Sequence, residues 1–112
     1  GEHGVPAFDA LVLTARRGTV DATKTRKLLA AIAEATTWLK AHPAEAWYVF
    51  AKYGKELAND LNRLAWKDTV PLLASDPAAL DRARYDTFAA FLTKRGLIKQ
   101  APAADRYLQD VK

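Results

Sequence analysis

Only one stretch of this chain of 112 residues, Ala-Leu-Val-Leu-Thr-Ala at residues 10–15, reads as a β-strand; the other apolar positions recur at helical spacing. A lone strand leaves a row of backbone N–H and C=O groups unpaired, and a sheet stable in water takes about three strands or a covering helix. Residues 8–15, set between Pro6 and the run Arg-Arg-Gly-Thr, carry the β-branched and leucine content of a buried strand. The sequence therefore predicts a mainly α chain with one N-terminal β-strand, for which these residues offer no second strand as a partner. Left alone, such a chain is expected to self-associate.

The helices are marked by their ends. Asp21 or Thr23 can cap a helix running to about residue 41, with Leu28, Leu29, Ile32, Thr36 and Leu39 on one face. Pro43 pushes His42 out of the α region and has the fixed φ suited to a first helical position. The helix it opens carries Ala46, Trp47, Phe50 and Ala51 on one side and stops near Gly54. A third helix is expected from Lys55, with Leu57, Leu61, Leu64 and Ala65, until Pro71 ends it. Asp76 and Pro77 suggest the start of a fourth, striped by Leu80, Phe88, Phe91 and Leu92 and closed by Lys94, Arg95 and Gly96. A short last helix is expected over residues 103–109, anchored by Tyr107 and Leu108. The aromatic residues from Trp38 to Phe91 fall at core spacing and are expected to be packing.

Composition excludes several classes. Half of the residues are hydrophobic and 27% are charged, which is the balance of a folding chain and not of a disordered one. There is no cysteine, so disulfides and thiolate metal sites are ruled out. The two histidines, His3 and His42, lie far apart without ligand spacing, so no metal is expected. Ser75 sits in a capping context and not on a nucleophile turn, and no phosphate-binding glycine loop is present. No catalytic residue and no cofactor are expected. The net charge of +4 comes from bases interleaved with acids, which reads as a solvated surface and not as a nucleic-acid footprint. No apolar run reaches the length of a membrane span. The chain starts Gly-Glu-His and contains no methionine, so further residues upstream are expected.

Three pieces occur in order: G-V-P-x-(aromatic)-D at residues 4–9, H-P-x-E-A-W at 42–47, and F-A-x-F-L-x-x-R-G-L-I at 88–98. In combination they resemble the C-terminal third of the NMT1/THI5-like solute-binding proteins, the extracytoplasmic components of ABC importers for hydroxymethylpyrimidine-type thiamine precursors. The resemblance implies the C-terminal part of a type II periplasmic-binding-protein α/β fold. The chain would be a single segment, with residues 1–19 as a hinge crossing and strand and residues 20–112 as a helical part completing the first lobe.

It also implies capture of a small pyrimidine ligand without catalysis, in the periplasm or another extracytoplasmic space. The expected partners are the missing N-terminal part of the same protein and an ABC permease, with no nucleic acid. Glu2 and His3 are the ligand-binding candidates, because a carboxylate can accept from the exocyclic amino group of an aminopyrimidine. Related sequences often carry a pair of acids before H-G-V-P, and Gly1 stands here in place of the first; Phe8 replaces a usual Tyr and is expected to serve as hinge packing. Two alternatives remain open at this level: a pyrimidine-synthesis enzyme of the same family, and a basic helical module that binds protein or nucleic acid.

Overall fold

The computed structural model describes residues 4–111. They form four α-helices: α1 (Ala22–Ala41), α2 (Pro43–Ala51), α3 (Asp60–Thr69) and α4 (Arg82–Lys94). Single 3-10 turns stand at Lys55–Leu57, Val70–Leu72 and Ala104–Arg106. Two compact units result, one joining the residues up to Ala22 with those from Ala78 onward, the other Thr23–Pro77.

Among the described residues there is no β-strand, which corrects the expected fold class. Residues 10–15 are irregular, with a bend at Ala10 and Leu11. Leu11, Val12 and Leu13 are exposed by 87%, 55% and 62%, so the side chains do not alternate between a buried and an open face as on a packed strand. The physical reason is the one that made the run unusual: β-propensity is realised by cross-strand pairing and packing, and the described residues include no second strand to supply them. The α/β assignment falls with the strand.

In the unit Thr23–Pro77, α1 buries Leu29 and Thr36 of its expected face, but Leu28, also expected there, is exposed. His42 has φ −129° and ψ 54°, outside the α region, and Pro43 opens α2. Trp47, Phe50 and Trp66 join α2 to α3, with ring centroids 5.1 to 5.8 Å apart. The expected third helix begins later than Lys55. Asn59 sets its start as the N-cap: its side chain accepts from the backbone N–H of Asn62 at 2.8 Å and donates to the Glu56 carbonyl at 2.7 Å.

The other unit is organised on α4. Asp81, not Asp76, is the cap, accepting from the Arg84 N–H at 3.1 Å. An aspartate gains more at a cap than inside a helix, so a start at Asp76 would misplace Asp81. Phe8 stacks on Phe88 with centroids 4.9 Å apart, and Tyr107 lies 6.2 Å from Tyr85. Asp9 pairs with Arg84 and Asp105 with Arg82, both at 2.5 Å. After α4, Gly96 takes φ +71°, the Leu97 N–H bonds the Leu92 carbonyl, and the Gly96 N–H bonds the Thr93 carbonyl. These two bonds are the Schellman pattern. The expected last helix reduces to the turn Ala104–Arg106, too short to propagate because one turn carries the full nucleation cost.

Candidate functional site

The expected ligand residues Glu2 and His3 lie outside the described residues. The structure instead presents an open cleft of about 590 Å³ within the unit Thr23–Pro77. Lys40 enters it from the end of α1; Pro43, Ala44, Trp47 and Tyr48 come from α2; Arg63, Trp66 and Lys67 come from α3; Val70 and Pro71 follow from the next turn.

The local sequence sets this wall. Pro43 at the first position of α2 brings Trp47 and Tyr48 one turn later onto adjoining faces. On α3, Arg63, Trp66 and Lys67 are spaced i, i+3, i+4 and so share one face. The indole N–H of Trp66 donates to the Pro43 carbonyl at 3.0 Å, fixing the ring against α2. Trp47 meets Trp66 edge-on, with an interplanar angle of 68°. Only 8% of Trp47 is exposed, so it forms the floor, whereas Tyr48 is exposed on the rim.

The charge in the cleft has one sign. Arg63 lies with its guanidinium 5.8 Å from the Trp47 ring centroid, a cation–π contact. Lys40 donates to the Ser75 hydroxyl at 3.1 Å. Among the described residues, no carboxylate forms an ion pair with Lys40, Arg63 or Lys67, and no acid lines the cleft. An apolar wall lined by cations can hold a flat ring by its face and an anionic substituent by charge.

The unit containing α4 carries a second polar cluster, with a structural role. Asp9 holds Arg84, whose guanidinium is shifted above its ordinary range by the hydrogen bond and charge of Asp9. The Tyr85 phenol is also pushed up, first by burial and then by its hydrogen bond to Asp9. Among the described residues, no group of three or more His, Asp or Glu is placed to hold a metal.

Sequence reasoning treated Trp47, Tyr48 and Trp66 as core and missed the cleft. The signal available was the i, i+3, i+4 placement of Arg63 and Lys67 around Trp66, which sets cations beside an indole.

Over 111 residues, 98% of the chain, the sequence is 45% identical to a Haemophilus influenzae protein named "Putative thiamine biosynthesis protein". The chain spans 35% of that relative's length. No family model matches the chain, and no solved structure matches it.

Proposed function

We propose that this chain is part of an extracytoplasmic solute-binding protein of an ABC importer, one that captures a thiamine pyrimidine precursor and releases it unchanged to a permease. The observation that supports the thiamine part of this reading is the 45% identity along nearly the whole chain to a relative named for thiamine biosynthesis. The ordered pieces at residues 4–9, 42–47 and 88–98 support the transport form of that relation. Glu2 is the proposed acceptor for the exocyclic amino group of the pyrimidine, with His3 beside it, and the remainder of a longer protein is the proposed first partner.

The test is calorimetry on the full-length protein that contains this chain, titrated with hydroxymethylpyrimidine and with its formylamino precursor. The expected result is saturable one-to-one binding of at least one, weakened by Glu2→Gln. Absence of heat with both compounds overturns the substrate.

The relative's printed name favours a second reading, an enzyme that makes the pyrimidine. Mass spectrometry with isotope-labelled hydroxymethylpyrimidine separates the two: recovery of the labelled ligand unchanged fits transport, and unlabelled pyrimidine formed from added small-molecule carbon and nitrogen precursors fits synthesis.

A further inference from the structure

We propose that the cleft between α2 and α3 binds a small planar aromatic anion, an aryl carboxylate or aryl phosphate, with its ring on the aromatic wall and its anionic group among Arg63, Lys67 and Lys40. This goes beyond the reading above and does not rest on it. Glu2 suits a ligand that donates from an amino group, whereas this cleft is lined by no acid and its charge is all positive.

Three observations carry the inference. The wall is built before the ligand arrives: Trp66 is tied to the Pro43 carbonyl and Trp47 is buried beneath it, so little side-chain freedom is lost on binding. The cations are uncompensated, because among the described residues none of the three has a carboxylate partner. Arg63 and Lys67 are exposed, so their attraction for an anion is screened by salt and the aromatic wall must supply the rest of the binding. Finally, the volume of about 590 Å³ falls among small-molecule sites and accommodates one or two rings.

Neither feature alone defines the ligand. A neutral ring gains only the wall, an inorganic anion gains only the cations, and a cationic ring is repelled. An aromatic anion uses both, and the fixed fork of Arg63 matches the planar oxygen pair of a carboxylate or two oxygens of a phosphate.

The experiment is tryptophan fluorescence of the full chain titrated with benzoate, phenyl phosphate, benzyl alcohol and inorganic phosphate. The expected result is saturable quenching by at least one of the two aromatic anions, with benzyl alcohol and inorganic phosphate each about tenfold weaker or without response. Whichever of benzoate and phenyl phosphate binds tighter identifies the anionic group. The double variant R63Q/K67Q, with both changes on exposed side chains, is expected to weaken that binding about tenfold or more. Added salt should weaken binding of the anion and leave any benzyl alcohol response unchanged.

Saturation by benzyl alcohol or by inorganic phosphate as tight as by the aromatic anions overturns the proposal. So does an absent response to both aromatic anions, or wild-type affinity in a folded double variant. If the double variant unfolds, the ligand comparison and the salt series on the native chain decide. Failure here leaves the hydroxymethylpyrimidine titration unaffected, and failure there leaves this cleft unaffected.

Discussion

The indole N–H of Trp66 donates to the Pro43 carbonyl at 3.0 Å, tying the middle of α3 to the first residue of α2 across 23 positions of sequence. That bond, with the edge-on contact to Trp47, holds the two helices together. Trp66→Phe keeps a ring and removes the donor. The expected cost is about 1–2 kcal/mol, the sum of a lost hydrogen bond and part of an aromatic pair. Urea unfolding followed by far-UV circular dichroism measures it, and a stability equal to wild type would show that the bond contributes nothing net.

Gly96 tests the end of α4 in isolation. Its φ of +71° is a conformation that costs an L side chain about 1–2 kcal/mol, and a Cβ placed there meets no atom within 4 Å. Gly96→Ala is therefore expected to lower the melting temperature through backbone strain alone. Gly96→Asn should lose less, because asparagine tolerates the left-handed region. Equal melting of all three proteins would place the helix end elsewhere in solution.

Much of the helical architecture was legible because its signals are local. Pro43 announces α2, Gly96 ends α4, and Leu29 and Thr36 mark the buried face of α1, each without reference to distant residues. The start of α3 at Asn59 differs from the expected Lys55, and the cap of α4 is Asp81 and not Asp76, because several residues in each stretch could cap and the choice depends on which start leaves the fewest polar residues inside a helix. The strand failed for a different reason: its propensity is conditional on a partner. The cleft was hidden because Trp47 and Trp66 satisfy the spacing of core residues, and only their meeting across two helices, with Arg63 laid on one of them, distinguishes a wall from a core. Tyr48 and Tyr53, expected as packing, are exposed, the latter by 85%.

Tyr85 predicts a pH dependence. Burial and the hydrogen bond to Asp9 both favour the neutral phenol, so its folded pKa is raised above the ordinary value near 10. The stability this contributes is fully present below the unfolded pKa and is lost as pH rises through the folded one. Absorbance at about 295 nm should therefore show one tyrosine titrating above the ordinary phenol range. Tyr85→Phe removes that step and reduces the loss of stability at alkaline pH. A Tyr85→Phe protein with an unchanged titration curve would assign the shifted group to another ring.

The exposed run Leu11, Val12 and Leu13 predicts association of the chain when it is alone. Full burial of one such side chain contributes about 1.5–3 kcal/mol, and three contiguous ones can offset much of the roughly 4–15 kcal/mol cost of bringing two molecules together. Light scattering at micromolar concentration is expected to give a mass above that of the monomer, rising with concentration. Leu11→Asp combined with Leu13→Asp places charge on both flanks of the patch and should return the mass toward the monomer without lowering the melting temperature, since both side chains are already in solvent. A compact monomer at all concentrations, in wild type and variant alike, would mean that these apolar residues are tolerated in water and need no cover.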